Sequence, residues 1–303
     1  MRLALAAALV AAFVAPLAAQ PSLFAPVDGA RIVLDDRQQE ILGLLEGELG
    51  VDAVEIVRVD DAALTGGADL RIDLLSVEVL FSAVSVATRP SGHVSWYGRA
   101  SGPTGATWGA LVTRDGMVTG EIHFGGRVYP VRPLTGGLHA VARKSMAAYQ
   151  AHPEGYEAFV ESNRERLAAE RAEDQARLAA QPRSASMTTT VDVLVPYTTN
   201  VAAAYADPFA LAQSFVDVTN AAYDNSGLPD LDIRLVDAYA TPFASSGNLE
   251  TDLNNVTGTT DGIMDEVHAR RTAYGADLVA LLSGTNTFGF CGIAFVNSSA
   301  ASG

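Results

Sequence analysis

The sequence has little cysteine and lacks the short motifs that identify several common enzyme classes. Its 303 residues include one cysteine, Cys291. Exported proteins usually pair their cysteines, so Cys291 is open to three interpretations: a buried small side chain, a free thiol, or half of a disulfide. No HExxH, CxxC, GxSxG or phosphate-cradling glycine loop is present. The direct sequence signs of a zinc hydrolase, a redox pair, a serine hydrolase and a nucleotide site are therefore missing.

Basic residues are also few. Lysine and arginine total 20 against 35 aspartates and glutamates, for a net charge of −15. A nucleic-acid partner is disfavoured, because phosphates are bound by basic surfaces.

Long apolar runs are absent after the N-terminus, where residues 1–19 have the pattern of a secretory signal peptide. Arg2 precedes an apolar run from Leu3 to Val14, which is too short to span a bilayer as a membrane anchor. Small residues precede Gln20, the predicted first mature residue. The sequence therefore predicts a secreted or periplasmic protein with no membrane attachment after cleavage.

The histidines give little support for a metal site. No two of them are four residues apart. His93 and His123 lie in strand-like runs and could meet across a sheet, but two histidines without a third ligand are weak evidence. Nothing in the sequence places Cys291 beside His268 as a nucleophile and base. From the residues alone, no catalytic or metal-binding residue is assigned.

Residues 20–150 are predicted to form an α+β domain that is mainly a β meander. Short alternating runs punctuated by glycine recur from Val51 to Leu134, after a predicted helix over residues 37–49. Asp115-Gly116 and Gly125-Gly126 lie between such runs and suit tight hairpin turns. The seven predicted strands are VEIVRV, LRIDLL, VEVLFSAVSV, HVSWYGRA, TWGALVT, MVTGEIHF and RVYPVRPL.

Composition changes twice in the second half. Residues 151–186 are rich in Glu, Arg and Ala and predict a charged helical linker, which is either a processing segment or an ordinary spacer. Residues 187–303 then alternate strands and helices, which indicates an α/β unit with a mixed, mostly parallel sheet. Its first long helix is predicted to start after Asp207-Pro208, and its apolar face is formed by Leu211, Phe215, Val218 and Ala222.

Further along the chain, a second helix is predicted over residues 261–274, with Ile263, Met264 and Val267 facing inward. The run ADLVALL (276–282) is continuously apolar, which predicts a strand covered on both faces.

Four pieces of this last region, in order, resemble the first half of a reprolysin-like metzincin catalytic domain. They are VDVLVPYT, VTNAAYDNSGL with its V-x-N-x-x-Y signature, DGIMDEVHARRTAYGADLVALL, and the G-x-A-x-V run from Gly292 to Val296. The similarity is closest to bacterial peptidyl-Asp metalloendopeptidases. It implies that residues 20–150 are a pro-domain and that residues 187–303 are an incomplete catalytic domain.

The resemblance carries further expectations. Gly292, Ile293, Ala294 and Phe295 would line a peptide-binding groove by pairing with an extended substrate. The family's zinc helix, H-E-x-x-H-x-x-G-x-x-H, would follow next, so the chain ends before its catalytic residues and holds no identifiable Zn ligand. The disulfide partner of Cys291 would also lie beyond the sequence.

The resulting prediction is a secreted zinc metalloendopeptidase precursor that acts on peptide or protein substrates and is inactive as given. The first alternative is an exported, non-catalytic protein-binding module. The second is a generic two-domain exported protein whose α/β part resembles metzincins by chance.

Overall fold

The computed structural model describes residues 22–27, 32–67, 69–75, 77–100, 107–145, 147, 188–284 and 292–294. We call residues 22–145 the sheet unit and residues 188–284 the C-terminal unit. The predicted signal segment and the predicted linker lie outside the described residues.

The sheet unit contains two short helices and a run of antiparallel strands. The helices are α1 (Asp36–Glu46) and α2 (Asp61–Thr65). The strands are β1 (Phe24–Pro26), β2 (Val51–Val59), β3 (Leu70–Asp73), β4 (Glu78–Thr88), β5 (Val94–Arg99), β6 (Trp108–Arg114), β7 (Met117–Phe124), β8 (Arg127–Thr135) and β9 (Leu138–Ser145). The predicted meander is confirmed for β2 to β8; β1, β9 and α2 were not predicted.

The sheet curls until its two ends meet. Its described strands follow the order β1-β2-β9-β8-β7-β6-β5-β4-β3, so β1 and β3 are the outermost members. The backbone N–H of Leu23 donates to the carbonyl of Arg71 at 2.9 Å and links these two edges. Tight turns make the hairpins possible: Asp115 and Gly116 both have positive φ, at 53° and 77°, as a type I′ turn requires.

The interior of the curled sheet is filled by large apolar side chains. Trp96 is 1% exposed and meets Phe81 edge-on, with ring centroids 6.3 Å apart. The indole lies against the backbone of Gly98, where an added Cβ would overlap the ring. A glycine is therefore needed at position 98 for this strand to carry a tryptophan two residues earlier.

The C-terminal unit alternates strands and helices, as predicted. Its strands are β10 (Thr189–Tyr197), β11 (Leu231–Ala240) and β12 (Leu278–Val279), and its helices are α3 (Thr199–Ala204), α4 (Pro208–Asn225), α5 (Leu249–Thr257) and α6 (Glu266–Tyr274). β10 lies between β11 and β12, and both pairings are parallel. Asp207 caps α4 by accepting the N–H of Ala210 at 3.0 Å, as the Asp-Pro pair predicts.

The predicted apolar face of α4 is partly wrong. Leu211 is buried, but Phe215 is 44% exposed and Ala222 is also exposed. The reason is that α4 is packed between two sheets, β11 on one side and β5 to β7 on the other. Helix periodicity predicts one buried stripe, whereas a helix between two layers also buries polar positions such as Gln213 and Asp217.

Two further expectations need correction. Ile263 is 37% exposed because residues 261–265 form turns ahead of α6, although Met264 and Val267 are buried as predicted. The run at 276–282 is not covered on both faces, since Leu278 is 54% exposed. No helix in the described part of the chain is long and apolar enough to cross a membrane.

Candidate functional site

The segment around β12 forms one edge of the parallel sheet in the described part of the chain. Backbone hydrogen bonds tie this segment to β10: Asp277 donates to Asp192 at 2.8 Å, Ala280 to Leu194 at 3.0 Å, and Leu282 to Pro196 at 3.0 Å. Pairing on the β10 side therefore extends beyond the two residues of β12 itself. The Thr198 hydroxyl, buried beneath this edge, donates to the Ser283 carbonyl at 2.7 Å and anchors the end of the strand.

The four residues predicted to contact substrate are described only in part. Gly292, Ile293 and Ala294 are exposed and belong to no strand, and a Cβ placed on Gly292 would meet open space. Phe295 and Cys291 lie outside the described residues. Peptide binding at 292–295 and a disulfide at Cys291 therefore stay predictions.

The described histidines occupy separate places. His93 bonds to Asp207, and His123 bonds to Glu121 at 2.9 Å and stacks on Trp108. Trp108 pairs with His123 at one end of β6, while Thr113 pairs with Val94 at the other, so His93 and His123 do not meet. His268 bonds to the carbonyl of Gly258 at 2.7 Å, which is a structural contact at the start of α6.

The described residues do not fit a zinc ion. Within them, no three His, Cys, Asp or Glu side chains lie close enough together to hold a metal. The adjacent carboxylates Asp265 and Glu266 belong to the local turn: Asp265 accepts the N–H of Gly262 at 3.1 Å, and Glu266 is the first residue of α6.

Asn220, from the V-x-N-x-x-Y signature, joins α4 to the neighbouring strand. Its side-chain amide donates to the carbonyl of Ile233 at 2.8 Å and accepts the N–H of Ile233 at 2.7 Å. One side chain thereby satisfies both backbone groups of a β11 residue on the edge of the parallel sheet. The signature marks an architectural contact, which the sequence resemblance alone does not explain.

The most polar buried region lies between the sheet unit and α4, and sequence reasoning missed it. His93 is fully buried, with its Nε2 3.1 Å from Asp207 Oδ2 and its ring stacked on Phe209. Nearly three turns along α4 from Asp207, Arg89 donates to Asp217 Oδ1 at 2.5 Å, and Gln213 donates to the same oxygen at 2.9 Å. In the sequence, the only feature that could have predicted this buried polar region is the pair Gln213 and Asp217, spaced one turn apart in an apolar helix.

Burial and hydrogen bonding act against each other on these carboxyls. Burial raises the pKa of Asp207, but hydrogen bonds from His93 and from the Ala210 N–H outweigh it and hold the pKa below its usual value. For Asp217, burial is the stronger influence and raises the pKa in spite of the Arg89 charge. The pKa values of the two aspartates are therefore shifted in opposite directions within one interface.

A second charged group lies beside a cavity of about 330 Å³ between the sheet and α4. Arg132, with a side chain 2% exposed, bonds to Glu48 at 2.5 Å and to the Tyr205 hydroxyl at 2.7 Å. Its guanidinium carbon lies 4.1 Å from the centroid of the Tyr205 ring. Burial raises the pKa of Glu48, but Arg132 and Lys144 outweigh it and hold that pKa below its usual value.

Comparisons with known proteins agree with the predicted resemblance. Residues 209–303 match the family described as Metallo-peptidase family M12B Reprolysin-like. The C-terminal third of the chain is reprolysin-like. Curated relatives named "Peptidyl-Asp metalloendopeptidase" from two strains of Stenotrophomonas maltophilia are each 31% identical, over 276 and 279 residues. A relative of the same name from Xanthomonas campestris pv. campestris is 28% identical over 255 residues.

The extent of these alignments adds two facts. The Stenotrophomonas relatives align with 86% of it, which is too much to fit within residues 188–303 and must include most of the sheet unit. The chain spans 63% of the length of those two relatives and 58% of the third. The sheet unit and the reprolysin-like region therefore occur together in these relatives.

Proposed function

We propose that the chain is the N-terminal part of a secreted zinc metalloendopeptidase precursor. Residues 1–19 are its signal peptide, residues 20–150 its pro-domain, residues 151–186 a linker and residues 187–303 the start of its catalytic domain. The observation that carries this proposal is the joint similarity of the sheet unit and the reprolysin-like region to the same curated relatives. The intact protein hydrolyses internal peptide bonds, with zinc held by residues outside this chain.

The substrate class follows from the same relatives. Their shared name, "Peptidyl-Asp metalloendopeptidase", supports cleavage of peptide bonds next to aspartate. The proposal also holds that the 303-residue chain is inactive by itself, because its sequence contains no HExxH stretch.

The test begins with the coding sequence beyond the Gly303 codon. We expect the reading frame to continue and to encode an HExxH-type helix. The intact secreted protein is then assayed on two peptides that differ only by Asp or Asn at one position. The expected result is cleavage beside Asp and little beside Asn, with both lost when the glutamate of the HExxH stretch is changed to Gln.

Two outcomes would count against the proposal. A stop codon directly after Gly303 would contradict the proposed enzyme activity and favour the non-catalytic, protein-binding alternative. Hydrolysis that survives the Glu→Gln change would contradict the zinc mechanism, because the general base on the metal-bound water would be missing.

We further propose that Gly292, Ile293, Ala294 and Phe295 pair with the substrate backbone. The open space around Gly292 and the exposure of residues 292–294 support this role. Proline scanning of 292–295 in the intact protein should raise KM at positions whose N–H groups pair with substrate, with kcat much less affected. An unchanged KM at all four positions would contradict it.

A further inference from the structure

The sheet unit contacts the start and the middle of α4 through the β4–β5 hairpin. Arg89, at the β4–β5 turn, reaches Asp217, and His93, just before β5, reaches Asp207. The Nε of Arg89 also donates to the Ser95 hydroxyl at 2.9 Å, which fixes the direction of the guanidinium. A single short segment thus presents two nitrogen donors to two carboxylates on the other unit.

Burial makes these pairs costly to separate. The side chains of Asp207 and Asp217 are 6% and 8% exposed, and that of His93 is 0% exposed. A buried carboxylate that loses its partner keeps its desolvation cost without the compensating contact. Asp207 has a second role, since its other oxygen caps the N-terminus of α4. The sheet unit therefore stabilises the residue on which the helix begins.

A second set of contacts extends the same interface toward α3. Arg132 bonds to the Tyr205 hydroxyl and stacks on its ring, and Arg37 donates to the carbonyl of Ala202 at 2.6 Å. At the far end of α4, Arg99 bonds to Asn225. These contacts from α1, β5 and β8 converge on residues 202–225, a continuous stretch of the C-terminal unit.

The interface lies away from the edge of the parallel sheet that β12 forms. α4 packs against β11, whereas β12 lies on the opposite side of β10. Among the described residues, these hydrogen bonds from the sheet unit end on α3, α4 and the segment that joins them. A partner that binds there holds the back of the reprolysin-like unit and leaves the β12 edge open.

We infer that the sheet unit is a detachable subunit, which stays bound to the α3–α4 surface without a covalent link after the chain is cut between the two units. Arg89 and His93 against Asp217 and Asp207 are the specific part of this association. The inference goes beyond the proposed function, since it requires only the two units and a cut between them.

The experiment introduces a site-specific protease sequence between Ser184 and Ala185 of the 303-residue chain and cuts the purified protein. Analytical ultracentrifugation over a dilution series then gives the dissociation constant of the two pieces. We expect them to sediment together at micromolar concentration. Arg89→Gln and Asp217→Asn should each raise the dissociation constant roughly 30-fold or more. The double variant should bind no more weakly than the single variant that binds more weakly of the two.

The matched control is Asp192→Asn, which removes the exposed ion pair with Arg234 inside the C-terminal unit. It should change the dissociation constant less than twofold. All variants are first compared uncut by near-UV circular dichroism, where Trp96 and Trp108 report the sheet unit, and variants that differ are replaced by His93→Gln.

Three results would overturn the inference. The pieces of the unaltered chain could separate at micromolar concentration, the interface variants could bind as tightly as the control, or the near-UV signal could vanish on cutting. The assay gives the same reading whether or not the intact protein hydrolyses peptides, so failure here is distinguishable from failure of the proposed function.

Discussion

The sheet unit and the C-terminal unit differ in the number of buried apolar side chains that each contributes to its own core. In the described residues, the main cluster of the sheet unit contains sixteen buried apolar side chains around Trp96 and Phe81. The two clusters of the C-terminal unit contain five and four, one on each face of β10. In the part of the chain that the structure describes, its sheet ends at β12, where Leu278 is exposed, whereas the larger sheet closes on itself.

The C-terminal unit also buries part of its surface against its neighbour. Helix α4 buries Gln213 and Asp217 against the sheet unit, and its capping residue Asp207 is held by His93. Stability from apolar burial scales with the area removed from water, so the larger closed core should be the more stable one. The sheet unit should keep its fold under conditions that loosen the other.

The largest expected effect is on the core of the sheet unit. Trp96→Ala should lower its free energy of unfolding by roughly 3–5 kcal/mol, because the indole is buried and the glycines beside it cannot fill the space. Urea unfolding followed by circular dichroism measures this change. Phe215→Ala is the control, since that ring is 44% exposed and its loss should cost much less.

Acid should lower the stability of the sheet unit by protonating His139. Burial lowers the pKa of this histidine to about 4, and its Nε2 accepts the N–H of Val118 at 2.9 Å, so the folded state keeps the ring neutral. The folded pKa lies below the unfolded value near 6.5, so the contribution is complete above pH 6.5 and is lost as the pH falls toward 4. At pH 4 the free energy of unfolding of the sheet unit should be lower by about 3 kcal/mol than at pH 7.

Urea midpoints between pH 7 and pH 4 measure this dependence. His139→Gln keeps an acceptor for the N–H of Val118 and should flatten the plot of urea midpoint against pH. The control His123→Gln, at a partly exposed histidine, should leave that plot steep. A steep curve in the His139 variant would assign the acid sensitivity to another group.

Asn220→Ala should have a smaller effect, and on the other unit. It leaves the N–H and carbonyl of Ile233 without their side-chain partner, which should cost about 1–3 kcal/mol. Hydrogen exchange at β11 should increase while β5 to β8 stay unchanged. Equal acceleration in both units would contradict the view that their stabilities differ.

The smallest effect is expected at Arg234, whose exposed side chain pairs with Asp192 through two hydrogen bonds of 2.7 Å. Solvent screens such pairs, so Arg234→Gln should leave the urea midpoint of both units unchanged. A clear drop in the urea midpoint would show that the ion pair stabilises this edge of the parallel sheet.

Local patterns predicted much of the fold. Alternating runs and glycine turns identified β2 to β8, and the Asp-Pro pair located the start of α4. Strand β9 was missed because its run LHAVARKS mixes alanine with charge, and it becomes a strand through pairing with β2 and β8. Periodicity could not reveal that α4 packs between two sheets, which left Phe215 misassigned.

The interface could not be predicted in the same way. His93 and Asp207 are 114 positions apart in the chain, and Arg89 and Asp217 are 128 apart. No local spacing rule connects such residues. The resemblance indicated where a peptide would bind, but it gave no sign of the buried charges between the units.

Native-state hydrogen exchange of the 303-residue chain tests the central comparison most directly. We expect amides in β5 to β8 to exchange only through global unfolding of the sheet unit, and those in β10 to β12 to exchange through an opening of lower free energy. Equal protection in both groups of strands would contradict it, because the C-terminal unit would then be as stable as the sheet unit that we infer holds it.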